Sequence, residues 1–315
     1  SCPALPARMD SGQSDRPLTG NRLGSPTVSA TRAGDDVRFF VAVKSSNYSQ
    51  DAGGALKLLN YHFFSEVFPS PGALVTGQIR TPSGPTPRSY EPRNGTLYVE
   101  GGHFTNVADL DRAYPNGRYH VSLQSSRADV RDASLNLSGP AGRTDIPAPI
   151  RISIEQDGRS VVPTQIDASR PTAIRWTAFS NGRSDPHGIV DDMIFVVVQD
   201  CRGQRIFHTG LPFDGPYLRY DASGVQLPAN LLESGQPYSM FVEMPHVADS
   251  IRIGNIPGFA SFATATYLDL RTTGTSTRTC PSVAPAMDTG QTDRPVALHP
   301  TDGAAPVIKD QVTFL

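Results

Sequence analysis

The stretch MIFVVVQDCRGQRIFHT, residues 193–209, decides the fold class. It begins with an apolar, β-branched run, MIFVVV, and the strand pattern QRIFHT (204–209) begins at the last residue of the short segment CRGQ (201–204). Two β-prone runs on either side of a glycine-containing connection predict antiparallel strands joined as a hairpin. We therefore expect β-structure around this point of the chain.

Strands of the same kind recur in the rest of a second block, residues 147–278. They are PIRISIEQ (149–156), AIRWTAF (173–179), YSMFVEM (238–244) and FATATYLDLRTT (262–273). No helical patterns alternate with them, which argues against a parallel α/β sheet. Short strands with closely spaced turns favour an antiparallel β-sandwich.

A first block, residues 28–146, carries a second set of strand patterns. They are VRFFVAVK (37–44), LVTGQIRT (74–81), GTLYVEG (95–101), GRYHVSLQ (117–124) and ASLNLSG (133–139). One segment differs: residues 54–68 have apolar side chains at positions 56, 59, 63 and 67, a spacing that predicts a short helix. The sequence thus predicts an all-β chain of two tandem Ig-like antiparallel sandwiches.

The same motif occurs near both ends of the chain. Residues 2–17 read CPALPARMDSGQSDRP and residues 280–295 read CPSVAPAMDTGQTDRP, with nine identities in sixteen positions. A duplicated segment on either side of one long block indicates a unit that is used in series. We predict an N-terminal arm or connector at 1–27, and a repeated connector with a C-terminal strand at 279–315.

The last ten residues, PVIKDQVTFL, predict a strand with one apolar face. Ile308, Val312 and Phe314 lie on that face. Such a strand needs a sheet edge to pair with. It could return to its own domain, complete a sheet in the next subunit by strand addition, or remain disordered.

Three cysteines, an odd number, are candidates for disulfide bonds. Cys2 and Cys280 begin the two copies of the connector, and Cys201 lies in the predicted hairpin turn. In a secreted protein one pair can close within the chain, which leaves one thiol to pair between chains. We expect a disulfide that includes Cys280; three free thiols in a reducing compartment are the alternative.

Composition and motifs exclude several classes of function. The formal charge of −2 and the pI of about 6.4 do not indicate the excess of positive charge that is typical of nucleic-acid-binding proteins. No apolar run is long enough to span a bilayer. Nucleophile elbows, phosphate-binding loops and zinc-protease helices are missing from the sequence. The seven histidines are scattered, without a metal-binding spacing. We therefore predict no enzyme and no resident cofactor.

Two resemblances add to this interpretation. The second block, with its strand ending in Trp-x-x-Phe, its Gly hairpin and the segment LPANLL, resembles an Ig/fibronectin-III-like sandwich of secreted, mostly uncharacterised bacterial proteins. That resemblance implies the fold and secretion, and no activity.

The connector MDTGQTDRP resembles the linkers between Ig-like repeats of large bacterial adhesins, in which carboxylates can hold calcium. The corresponding carboxylates here are Asp10, Asp15, Asp288 and Asp293. Arg16 and Arg294 come directly after Asp15 and Asp293, and their positive charge would repel a cation. The alternative is that the aspartates bind no metal and fix local turns.

The function expected from the sequence is that of an extracellular structural or adhesive protein, the subunit of a self-assembling surface fibre. Its partners would be copies of itself, with Cys2 or Cys280 locking a junction, and a glycan or cell-surface ligand as a further partner. The alternative is a secreted carbohydrate-binding or accessory module. In that case exposed tyrosines would stack on sugars, and the candidates are Tyr48, Tyr61, Tyr90 and Tyr217.

Overall fold

The computed structural model describes residues 22–23, 26–30, 36–93, 95–138, 145–276 and 278–280. Nineteen strands and one helix make up the described part of the chain. In chain order they are β1 Arg22–Leu23, β2 Pro26–Ala30, β3 Val37–Gln50, β4 Leu56–Pro69, β5 Thr76–Arg80, β6 Arg88–Ser89, β7 Glu91–Arg93, β8 Thr96–Phe104, α1 Val107–Ala113, β9 Arg118–Gln124, β10 Asp129–Asn136, β11 Ile152–Gln156, β12 Arg159–Val161, β13 Thr172–Trp176, β14 Met193–Asp200, β15 Arg205–His208, β16 Asp214–Arg219, β17 Gly224–Leu227, β18 Pro237–Ile253 and β19 Ile256–Arg271. The all-β prediction is confirmed.

One large sheet joins the two halves of the sequence. Its strand order is β2-β16-β14-β18-β19-β3-β4-β8-β7, and β15 pairs with β14 as the predicted hairpin. The pairing of β19 with β3 is parallel, from Gly258 opposite Phe40 to Leu268 opposite Gln50. The two predicted blocks therefore share a sheet, and the predicted boundary at 146/147 does not divide this sheet into two independent sandwiches.

Two smaller sheets cover one face of the large sheet. The first has the order β10-β9-β5-β6 and the second the order β1-β17-β13-β11-β12. Phe262 packs in the core beneath the first and Leu268 in the core beneath the second. These residues are an even number of positions apart in β19, so the two small sheets lie side by side on the same face.

The opposite face of the large sheet buries an aromatic cluster. Phe39 stacks on Phe68 with ring centroids 4.1 Å apart, and contacts Phe213 at 5.5 Å. Arg38, on the same strand as Phe39, forms an ion pair with Asp214. Since β3 and β16 are separated by three strands in the sheet order, these contacts require the sheet to curl around this face.

The predicted helix at 54–68 is wrong, because these residues form strand β4. Phe63 and Val67 pack into the core under the first small sheet, whereas Phe64 and Phe68 pack into the aromatic cluster. A strand with both faces buried loses the apolar–polar alternation that marks a half-exposed strand. The apolar residues at 56, 59, 63 and 67 therefore matched a helical period by coincidence.

The helix that does form is α1. Asn106 caps it, accepting a hydrogen bond from the backbone N–H of Asp109 at 2.9 Å. No helix among the residues that the structure describes is long and apolar enough to cross a membrane.

Candidate functional site

The start of the second connector is bonded covalently to the body of the protein. Cys280 forms a disulfide with Cys201, with a Cα–Cα distance of 5.6 Å and a sequence separation of 79 residues. Cys201 lies in the turn between β14 and β15. This is a disulfide at Cys280, as expected, and it closes within the chain, so Cys280 is not available to lock a junction between copies.

Polar contacts fix the residues just before Cys280. Gln236, which is buried, donates from Nε2 to the carbonyl oxygen of Arg278 at 3.1 Å. Arg202 donates to the carbonyl oxygen of Thr279 at 3.2 Å, and the guanidinium of Arg278 pairs with Glu233 at 3.0 Å. These contacts and the disulfide therefore define the position of Cys280 on the body of the protein.

Several predicted site residues lie outside the described residues. They are Cys2, Asp10, Asp15, Asp288, Asp293, Ile308, Val312 and Phe314. A calcium site in the connectors and a pairing strand at the C-terminus therefore stay predictions.

Two of the four candidate sugar-stacking tyrosines are buried. Tyr217 is 1 % exposed, and Tyr90 is 6 % exposed with its hydroxyl 2.7 Å from the Ser65 hydroxyl. Neither ring can present a face to a sugar, so the prediction is wrong for both. Tyr48 and Tyr61 are half-buried.

An acidic loop between β13 and β14 is held by its own carboxylates. Asp185 Oδ2 accepts hydrogen bonds from the Ser250 hydroxyl at 2.6 Å and from the backbone N–H of Ile189 at 2.8 Å. Burial raises the pKa of Asp185, but these hydrogen bonds outweigh it and the net pKa is lowered. Asp192 accepts from the backbone N–H of Val247 at 2.8 Å. The carboxylates of Asp185 and Asp192 thus hold the loop in place through hydrogen bonds from backbone N–H groups.

A buried lysine ties the large sheet to the helix. Lys44, on β3, is 1 % exposed, and its Nζ forms an ion pair with Asp111 of α1. It also donates to Asn116 Oδ1 at 2.8 Å. Burial lowers the pKa of Lys44, and the contact with Asp111 opposes that change.

A cluster of two histidines and a glutamate lies where β4 meets β8. His62 faces His103 directly across the two strands, and Phe64 faces Glu100. Between these pairs β4 advances by two residues and β8 by three, so β8 contains a β-bulge. Without the extra residue, Glu100 and His103 would point to opposite faces of the sheet; with it, both side chains join His62.

Two glycines form the bulge. Gly102 has φ of +96°, a conformation that favours glycine, and a Cβ on Gly101 would lie 2.4 Å from the carbonyl oxygen of Phe63. The local sequence EGGH at 100–103 is therefore what brings the acid and the second histidine together.

Within the cluster the three side chains are in direct contact. His62 Nε2 donates to Glu100 Oε1 at 2.6 Å, and the rings of His62 and His103 stack with centroids 4.5 Å apart and planes 6° apart. Burial raises the pKa of Glu100, but the contact with His62 outweighs it, and the pKa falls to about 2. Burial and the neighbouring His62 lower the pKa of His103 to about 4.

Sequence reasoning missed this cluster. It placed His62 on a helix and searched for histidines at fixed short spacings, whereas here the histidines come from two strands. The available signal was the Gly-Gly pair inside a strand, which marks a bulge.

Comparisons with known proteins find no family model and no curated protein that matches the chain. Among solved structures, a biofilm-associated protein BSP domain shares 13 % identity with a TM-score of 0.19, and the match covers 80 % of this chain and 30 % of that one. Trypsin-activated alpha-2-macroglobulin from Escherichia coli shares 9 % identity with a TM-score of 0.19, and the match covers 80 % and 16 %. The N-terminal four Ig domains of Dscam1 isoform 8.4 share 12 % identity with a TM-score of 0.18, and the match covers 79 % and 47 %. This chain thus spans less than half the length of each, and at these TM-scores the likeness supports no conclusion about fold or function.

Proposed function

We propose that this chain is a non-enzymatic structural or adhesive module of an extracellular protein, in which successive copies are joined head to tail through the repeated connectors. The observation that carries the proposal is the Cys201–Cys280 disulfide, which fastens the first residue of a connector to the module before it. The first residue of the connector is therefore attached covalently to the module that precedes it.

The redox chemistry of this bond supports an extracellular location. Structural disulfides persist in oxidising compartments and are rare where glutathione and thioredoxin keep thiols reduced. The bond joins residues 79 positions apart, so it constrains a long stretch of the second block.

The place of the cysteine within the repeated motif supports serial use. Cys280 begins the copy at 280–295, and Cys2 begins the copy at 2–17, at an offset of 278 residues. If each connector is fastened to the module that precedes it, Cys2 is the counterpart of Cys280 for a preceding copy. Because Cys201 of each copy is bonded to that copy's own Cys280, Cys2 is the cysteine left to pair with the Cys2 of another copy. The proposed partners are therefore copies of this module.

The C-terminal segment would strengthen such a junction. Pairing of residues 306–315 with a sheet edge of the next copy would bury Ile308, Val312 and Phe314. Burial of each large apolar side chain contributes about 1.5–3 kcal/mol, so the three together contribute several kcal/mol before the entropy cost of ordering. Strand addition between copies would give a filament where the head-to-tail contact does not close into a ring.

The burial of Tyr90 and Tyr217 weighs against the carbohydrate-binding alternative.

The proposal is tested by mapping disulfides in the oxidised, intact protein by mass spectrometry without reduction. Peptides that link Cys201 to Cys280 within a chain, with Cys2 linked to a second copy in the assembled fraction, would support it. A fully reduced set of cysteines in protein isolated from its native compartment would contradict it.

A further inference from the structure

We propose that His62, Glu100 and His103 form a binding site for a divalent transition metal ion, with zinc as the best match. One ring nitrogen from each histidine and one carboxylate oxygen of Glu100 all lie within 4.8 Å of one another. Imidazole nitrogen and carboxylate oxygen are the ligand types of zinc sites that keep a further coordination position open.

Unpartnered polar atoms in the cluster point to a missing ligand. His62 Nδ1, His103 Nε2 and Glu100 Oε2 are buried and have no hydrogen-bond partner among the described residues. His62 is 0 % exposed, so bulk water does not reach its ring. Buried polar atoms are almost always hydrogen-bonded, and three exceptions in one cluster call for an ion or an ordered water. A bound cation would give these groups a partner.

The arrangement of Glu100 leaves one oxygen for such a cation. Its Oε1 accepts hydrogen bonds from His62 Nε2 at 2.6 Å and from the backbone N–H of Gly102 at 2.8 Å. The other oxygen, Oε2, forms an ion pair with a guanidinium nitrogen of Arg93 at 3.6 Å, which is too long for a hydrogen bond. Arg93 is held over the ring of Tyr98, 4.7 Å from its centroid. The bulge and Arg93 thus orient the carboxylate, in the way that outer groups orient metal ligands.

Metal binding would require a small movement of the two rings. Nitrogen lone pairs lie in the plane of an imidazole ring, and the planes of His62 and His103 are parallel within 6°. Ligands about 2.0–2.2 Å from a tetrahedral zinc ion converge on it, so parallel rings must turn toward each other. The torsion that turns an imidazole about its bond to Cβ is broad, and therefore the change is accessible.

The bulge gives the site its role in the fold. At the bulge the regular pairing of β4 with β8 is interrupted. A metal ion bound by His62 of β4 and by Glu100 and His103 of β8 would join the two strands at this point. The proposal does not depend on the proposed assembly of copies, because all three ligands belong to one chain.

The test is titration of zinc chloride into the intact, tag-free protein after removal of metals with a chelator, followed by calorimetry. The variants are Glu100→Gln and His103→Gln, which keep side-chain size, and the matched control is His120→Gln. His120 lies on β9 beside Asp132, away from the cluster. We expect the wild-type protein and the control to bind zinc alike, and each ligand variant to bind at least about tenfold more weakly.

Cobalt(II) absorption gives a second readout that does not depend on stability. Tetrahedral coordination by the cluster would give intense visible bands in the wild-type protein and in His120→Gln, and weak ones in Glu100→Gln. Absence of zinc binding in the wild-type protein would overturn the proposal. Equal binding by Glu100→Gln and His103→Gln, each shown by circular dichroism to be folded, would overturn it as well.

Discussion

Cys280 is bonded to Cys201 across 79 residues, so the first residue of the second connector is held on the turn between β14 and β15. The connector therefore begins at a fixed point on the large sheet. The disulfide, and not the Pro- and Gly-rich sequence that follows Cys280, fixes the point at which the connector begins.

Removal of this disulfide should lower the stability of the fold. Closing a loop of this length lowers the conformational entropy of the unfolded chain. In the chain-entropy treatment this raises the free energy of unfolding by about 4.5 kcal/mol. We expect Cys201→Ser to lower the free energy of unfolding by about 2–5 kcal/mol, measured by urea denaturation under oxidising conditions. Cys2→Ser is the matched control and should leave this value unchanged; an equal loss in both variants would contradict the assignment.

Cys2 should account for all covalent cross-linking between chains. The sequence has three cysteines, and two of them are bonded to each other. Non-reducing gels of oxidised protein should therefore show cross-linked species for the wild type and a single band for Cys2→Ser. Cross-linked bands that persist in the Cys2→Ser variant would show that the internal disulfide opens and exchanges.

Glu243 should make the protein less stable as the pH rises. It is buried in the aromatic face, its Oε2 has no hydrogen-bond partner among the described residues, and burial together with the nearby Glu66 raises its pKa well above the ordinary 4.5. A carboxyl group with a raised pKa in the folded state supports stability below about pH 4.5, and this support is lost as the pH rises toward the folded pKa.

Glu243→Gln should therefore be more stable than the wild type at pH 7, by at least about 1 kcal/mol, because an amide has no ionisable proton and each unit of raised pKa costs the carboxyl about that much. The difference should become smaller as the pH falls to 4 and below, because Glu243 is then mostly protonated in both states. Thermal unfolding across this pH range checks the prediction, and a stability difference that does not change with pH would refute it.

The ion pair between Lys44 and Asp111 should respond unequally to the loss of either partner. Lys44 is 1 % exposed, whereas the Asp111 side chain is 49 % exposed. Asp111→Ala leaves a buried ammonium with Asn116 alone, and we expect a loss of about 2–3 kcal/mol. Lys44→Met leaves an aspartate that water can solvate, and we expect a loss of about 1 kcal/mol or less. Urea denaturation measures both, and a larger loss for Lys44→Met would contradict the burial argument.

The sequence was sufficient for the fold class and insufficient for the topology. β-branched runs around Val196 and Val41 predicted strands correctly, because local side-chain shape favours an extended backbone. The parallel pairing of β3 with β19 joins residues more than two hundred positions apart, and no local pattern specifies it. The same limit explains the error at β4, whose two buried faces hide the period of a strand.

The histidine cluster was out of reach for a related reason. His62 and His103 meet through strand pairing, and Glu100 joins them only because Gly101 and Gly102 add a residue to β8. A search for ligands at fixed spacing cannot find a site that depends on the register between two strands. The disulfide at Cys280 was accessible from the sequence, because the cysteine count and the repeated motif limited the candidates to three.

Sedimentation of the oxidised, intact chain over a range of concentrations tests the central claim most directly, with a variant that lacks residues 306–315 measured in parallel. The account predicts species larger than one chain that grow with concentration for the intact protein, and nothing larger than a Cys2-linked pair of chains for the truncated one. An intact protein that remains a single chain at the highest concentration, or a truncated protein that assembles equally well, would contradict it.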